Sequence, residues 1–119
     1  IKSVNVNISS DNFVYESKNI NLSIPYNEIM YFEIFKRIIY THIVNKKEEF
    51  FYSTFKELET KLIGKNFLKI HRSFIVNMQY IHKIFNQQVE LKNGTLLPIS
   101  RGSYADLKTQ FSQYLNAKI

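Results

Sequence analysis

Cysteine is absent from this chain of 119 residues, and glycine (three) and proline (two) are scarce. Without Cys there is neither a disulfide framework nor thiolate chemistry. No apolar run approaches the roughly 20 residues that cross a bilayer. The opening "IKSVNVNISS" has neither the basic start nor the apolar middle of a signal peptide, so the chain reads as cytoplasmic. It also opens without an initiator Met, as a piece of a longer protein would. The three histidines, His42, His71 and His82, never pair at i, i+4 and join no carboxylate cluster, so no metal site is expected. His42 reads as a half-buried strand residue. There is no glycine-rich phosphate loop. His71 and Ser73, two apart on a strand, point the same way as a dyad would, but no glycine elbow or oxyanion hole accompanies them. Enzyme activity and a cofactor are therefore not expected. Membrane-surface binding asks for a basic amphipathic helix; in the C-terminal helix Lys108 and Asp106 cancel, with Lys118 beyond it.

What is present is positive charge and apolar bulk. The net charge is +6, the pI about 9.5, and 45% of residues are hydrophobic. This is one folded domain with a surplus that suits polyanions. Only three of the 16 basic residues are arginines, Arg37, Arg72 and Arg101. A guanidinium makes paired hydrogen bonds to a phosphate or to the edge of guanine; an ammonium does not. In a Lys-rich chain each Arg marks a place where that fork is wanted.

The strand period dominates. "VNVNI" (4–8) and "INLSI" (20–24) alternate, while "EIMYFEI" (28–34) and "RIIYTHIV" (37–44) are rich in β-branched and aromatic residues. Lys36-Arg37 is a short basic link between the last two. "NKKEE" (45–49) reads as a turn and "FFY" (50–52) as a strand. In "STFKELETKLIG" the apolar spacing becomes helical, Thr54 and Glu57 form a capping-box signature, and Gly64 stands at a C-cap position. "FLKI", "SFIV" and "YIHKIF" return to strand character, and "NQQ" (86–88) turns the chain. "VEL", Asn93-Gly94 and "LLPI" predict a hairpin with a type I′ turn. "SYADLKTQFSQYL" (103–115) predicts a helix capped by Ser103, with Asp106 at the capping-box position and an apolar face of Tyr104, Leu107, Phe111 and Tyr114 or Leu115. There is no repeat, low-complexity tract or linker. Most of the 18 aromatics (ten Phe, eight Tyr) fall on core positions; Tyr40, Tyr80 and Tyr104 are the candidate surface platforms for an unpaired base.

"FLKIHRSFIVN" (67–77) sets His71, Arg72, Ser73 and Asn77 inside one of the most apolar segments. With "FLKIHRSFIVNMQYIHKI" and "VELKNGTLLPISRGSYADL" on the page, the chain strongly resembles the LytTR domain, the DNA-binding output module of bacterial response regulators of the LytR/AgrA type. "NEIMYFEI" and "TFKELETKL" resemble its opening strand and short helix, and the resemblance covers residues 20 to 115. It implies a mainly β fold, an elongated arrangement of short antiparallel strands in small packed sheets with minor helices. It implies binding of duplex DNA through loops that enter major grooves, at paired direct repeats in promoters. An N-terminal receiver domain that promotes dimerisation on DNA is implied as well. Residues 1–18 lie outside the family pattern, as an extra strand or the tail of a linker; residues 19–119 are the DNA-binding domain.

By position, the family's contacts fall on one of Lys36 and Arg37, on Arg72, and on Arg101. The family's first loop often carries small or polar residues, so base preference at Lys36-Arg37 does not transfer. Each candidate also has a plainer reading. Arg72 suits a solvated strand edge. Arg101 leads a helix N-terminus, where a cation is mildly unfavourable, which argues for a functional reason. His71 either holds the Arg72 loop as a structural ring or touches phosphate. Ser73 either donates to phosphate or caps a turn. Lys69 is a phosphate anchor or a solvated cation, and Asn77 a turn former or a contact. If the strand were regular, Arg72 would alternate with His71 and Ser73, so a short or irregular strand is expected there, with Phe74 and Val76 facing inward. The alternative reading is a β-rich module for single-stranded RNA or a protein partner, with generic basic charge.

Overall fold

A computed structural model describes residues 11–117, so the strand expected at 4–8 lies outside the described residues. The described residues form three antiparallel sheets. A hairpin of β1 (Asn12–Glu16) and β2 (Asn21–Pro25) forms the first. The central sheet has the order β5-β4-β3-β7-β6, from β3 (Ile29–Phe35), β4 (Ile38–Ile43), β5 (Lys47–Tyr52), β6 (Phe67–His71) and β7 (Phe74–Asn77). The third has the order β10-β9-β8, from β8 (Ile81–Phe85), β9 (Gln88–Leu91) and β10 (Leu96–Pro98). Helix α1 (Phe55–Lys61) follows β5 and helix α2 (Tyr104–Ala117) closes the described chain. The mainly β, small-sheet architecture expected from the sequence is the one observed.

The central sheet is buried on both faces where β3 and β7 cross it. One face carries Phe32, Ile39, Phe51 and Ile75 against Phe13 and Ile24 of the β1–β2 hairpin, Leu58 of α1 and Leu62 at its C-cap. The other carries Tyr31, Leu68 and Val76 against Ile81, Val89, Leu91 and Leu97 of the third sheet and Leu107 of α2. Neighbours such as Ile75 and Val76 thus enter different cores. A strand covered on both sides reads as a continuous apolar run, which is why "EIMYF" and "SFIV" lack alternation. Val76 faces inward as expected, and Phe74 is partly buried beside it.

Several local readings are refined. Two left-handed residues, Asn45 (φ 65) and Lys46 (φ 62), suffice to turn the chain, so Lys47–Glu49 belong to β5 and not to a loop. The Thr54–Glu57 capping box is formed in both directions, and the Thr54 backbone hydrogen bond holds the Glu57 carboxyl below its usual range, helped by Ser53. Helix α1 ends on Leu62; Gly64 (φ +79) serves the following turn, closed by Lys65 N donating to Leu62 O at 3.1 Å. The Asn93-Gly94 hairpin exists, but its turn is not type I′. Only Gly94 is left-handed (φ +92), and Leu91 N reaches Thr95 O at 2.8 Å, so the loop is a three-residue turn ending in a glycine bulge. In α2 the apolar face is Tyr104, Leu107 and Phe111, continued by the half-buried Tyr114 stacked on Phe111 at 6.3 Å between ring centroids, whereas Leu115 is exposed. Asp106 accepts from the Gln110 amide at 2.9 Å.

Residues 12–16, read as part of an extension, form β1, the extra-strand alternative. Phe13 is fully buried and stacks near Phe32 and Phe51, with ring centroids 5.2 and 5.6 Å away. Phe13→Ala is expected to cost about 3–5 kcal/mol, since it empties a ring-sized space between two sheets. Urea unfolding measures this, and an unchanged midpoint would mean that β1 is not part of the cooperative unit.

Candidate nucleic-acid interface

The β3–β4 turn consists of Lys36 and Arg37 alone, both left-handed (φ 51 and 68). A two-residue hairpin between right-twisted strands wants this backbone, but normally takes Asn, Asp or Gly for it. The L-residue penalty is roughly 1–2 kcal/mol per position. The turn is held by Ser53 N donating to Arg37 O at 3.0 Å. Both side chains are exposed, with the Lys36 ammonium 5.3 Å from the centre of the Phe35 ring.

The β6–β7 connection is a hairpin with Arg72 and Ser73 at its tip, and the expected irregularity is there: the register shifts between Lys69 and His71. His71 packs on Phe74 (5.7 Å between centroids), and its Nδ1 accepts from Ser73 N at 3.0 Å. That acceptor role places the ring proton on Nε2. The structural reading of His71, a ring that holds the Arg72 loop, is what the geometry supplies. Ser73 O accepts from Ile34 N at 2.9 Å, which ties the tip to the end of β3, one residue before Phe35 and the Lys36-Arg37 turn.

The loop from β10 to α2 completes the group. Ile70, at the bulge, is unmatched on β7, and its carbonyl accepts from Ser100 N at 2.8 Å. Arg101 and Gly102 (φ +85) then form a turn closed by Ser103 N on Ser100 O at 3.1 Å. A left-handed residue at the third position of such a turn calls for glycine. Arg101 is exposed at the tip, beside the β6–β7 hairpin.

The three arginines, far apart in sequence, therefore line one end of the molecule. Among the described residues none of them is in an ion pair. Two other expected contacts are placed elsewhere. Lys69 points to the α1 side, 3.4 Å from Glu59 Oε2 and over the Phe55 ring. Asn77 is at the far end of β7, 4% exposed. Its amide donates to Tyr26 O and Ile29 O, and its oxygen accepts from Gln79 N. Both amide donors and the amide oxygen are engaged within the chain, so Asn77 acts as a buried turn former here.

Of the tyrosine platforms, Tyr80 donates its hydroxyl to Asn27 O, and Tyr104 packs on the second core. Burial raises the Tyr80 hydroxyl pKa, with the Glu28 charge adding to it. Tyr40 lies in a group that the sequence reading missed: Phe50 and Tyr52, both more than half exposed, share its sheet face, with Phe35 at the edge. Their residue types suit a core, and strand alternation alone does not say which face is left uncovered. His42 is half-buried, as expected, between Glu33 (Nε2, 3.1 Å) and Glu48 (Nδ1, 3.3 Å). The two carboxylates meet opposite sides of the ring, so they do not converge on one metal position, and no metal-type cluster occurs among the described residues.

Gly102→Ala is expected to cost about 1 kcal/mol. The space around Gly102 is open, so the cost comes from φ alone. A thermal melt measures this, and an unchanged Tm would show that the turn adopts another backbone.

The family model of the LytTr DNA-binding domain matches residues 20–112. A 56-residue stretch is 41% identical to the sensory transduction protein LytT of Bacillus subtilis (strain 168), covering 43% of this chain and 23% of that protein. The chain thus matches about a quarter of that relative's length. A solved LytTr DNA-binding domain from Bacillus cereus superposes with a TM-score of 0.68 at 24% identity, over 85% of this chain and 95% of that one. Among the described residues, no helix is long and apolar enough to cross a membrane. The family match extends from the start of β2 into α2 and takes in all three arginine turns: this chain belongs to the LytTr DNA-binding domain family.

Proposed function

We propose that the chain reads duplex DNA sequence-specifically as the output domain of a cytoplasmic bacterial response regulator, with Arg72 and Arg101 in the major groove. The observation that carries this is the row of arginines, none of them in an ion pair among the described residues and each at the tip of a turn whose backbone is fixed by hydrogen bonds. Adjacent strands lie about 4.8 Å apart, so the row from the Arg37 turn to Arg101 extends roughly 15 Å, a little under half of a 34 Å helical turn. A single protein end of that length addresses one groove and the phosphates on its rim. Arg72 and Arg101 present forks suited to guanine O6 and N7. Lys36 and Arg37 contact phosphate or a neighbouring base, Ser73 donates to phosphate, and the Nε2–H of His71, which the Ser73 contact does not use, adds a phosphate donor. No step of covalent chemistry is involved. Binding to paired direct repeats, an N-terminal receiver domain and dimerisation on DNA complete the proposal by analogy with such regulators.

A second reading, a module for single-stranded RNA or a protein, is favoured by one observation, the exposed aromatics Phe35, Tyr40, Phe50 and Tyr52 on one sheet face. The duplex reading accounts for the arginines and this one does not.

Selection from a random duplex library separates the two. The wild type is expected to recover a motif, with guanine preference lost at one position in Arg72→Ala and at a different one in Arg101→Ala, each at about 1–3 kcal/mol. Recovery of no motif, or tighter binding to single strands, would overturn the duplex reading.

Strain in the β3–β4 turn allows a second test. Replacing both residues, Lys36→Asn with Arg37→Gly, installs the preferred turn pair. The double variant is expected to melt higher and bind DNA about tenfold or more weakly, with a shallower salt dependence. Unchanged affinity would remove Lys36 and Arg37 from the contact set.

A further inference from the structure

The β8–β9 turn, Asn86-Gln87, is left-handed at both positions (φ 49 and 63) and exposed. Its position is what matters. Gln87 O accepts from Ile99 N at 3.0 Å, two residues before Arg101, and the next residue, Ser100, donates to Ile70. The same line of backbone hydrogen bonds that places Arg101 beside Arg72 therefore places Gln87 beside Arg101, on its far side from β6.

The residue types are telling. All three glycines of the chain occupy left-handed positions, at Gly64, Gly94 and Gly102. Asn86 suits the first turn position, since Asn tolerates this backbone. At the second, where Gly is the usual choice, the chain places Gln, with a side-chain amide on an open tip. The turn Asn45-Lys46 has the same backbone at the opposite end of the central sheet. Strain alone therefore marks no site, and Lys46 provides an internal control.

We propose that Asn86-Gln87 is a fourth DNA-reading turn, with the Gln87 amide recognising an adenine in the major groove just beyond the base read by Arg101. A Gln amide presents an acceptor and a donor side by side, matching adenine N6–H and N7. This rests on the duplex reading above and extends its footprint by one element.

The test is duplex selection with the full chain as wild type, Gln87→Gly and Lys46→Gly, alongside thermal melts of all three. Both variants create an Asn-Gly pair and are expected to melt at or above the wild type. Gln87→Gly should keep the guanine preferences assigned to Arg72 and Arg101. It should lose A·T preference at the position flanking that of Arg101 and bind the best wild-type site about tenfold more weakly. Lys46→Gly should recover the wild-type motif unchanged. If Gln87→Gly also recovers the full wild-type motif, or loses preference at the arginine positions too, the fourth contact is overturned while the duplex reading stands. If the wild type itself recovers no motif, the duplex reading falls first and this inference with it.

Discussion

The hydrogen bond from Ser100 N to Ile70 O holds the candidate interface together. Ile70 lies on the edge strand of the central sheet, at the point where the β6 register with β7 shifts, and its carbonyl is taken up by the β10–α2 loop. Through this bond the loop bearing Arg101 is fastened to the hairpin bearing Arg72. Ile34 N on Ser73 O fastens that hairpin to the end of β3, and Ile99 N on Gln87 O brings in the third sheet. Each bond is ordinary in strength, on the order of 1 kcal/mol net. Their value is geometric. Flexible side chains stand on tips whose backbones are already fixed, so less freedom is lost when they meet a rigid partner.

That arrangement depends on the two-sided core. A hairpin tip at the end of a sheet holds its position only if the strands behind it do not slide. Here β3 and β7, adjacent and apolar on both faces, are clamped between the β1–β2 hairpin with α1 on one side and the third sheet with α2 on the other. A register slip of one residue would move every buried side chain to the wrong core. The left-handed pair Lys36-Arg37 closes a hairpin whose strand β3 this clamp holds in place. On the face opposite Phe51, however, the covered area stops short of β5 and leaves Phe50 and Tyr52 in solvent. A face of this kind is a natural place for contact with other molecules.

Much of the fold was legible because it is local. Period-two alternation located β2, β-branched and aromatic residues located β3 and β4, helical spacing located α1 and α2, and Thr54 with Glu57 marked a helix start that the structure builds as a capping box. The refinements come from interactions that no short window contains. Asn93-Gly94 looked like a two-residue turn, but strand pairing across Leu91 and Thr95 selected a three-residue one. Lys69 and Asn77 stood next to the His-Arg-Ser motif in sequence, yet strand alternation put Lys69 against Glu59, and β7 carried Asn77 to the far end, into a buried network with Tyr26 and Ile29.

By itself, then, the sequence determined the element types, the family, and which three positions carry a guanidinium. These follow from residue chemistry and spacing within a few residues, and they need no knowledge of the fold. Only the tertiary structure decided that Arg37, Arg72 and Arg101 share one end, that Gln87 stands beside them, and that Asn77 does not. Those outcomes depend on which strand pairs with which, and pairing between strands distant in the chain is chosen by the burial of two cores at once. A periodicity read along one strand carries no record of its neighbours.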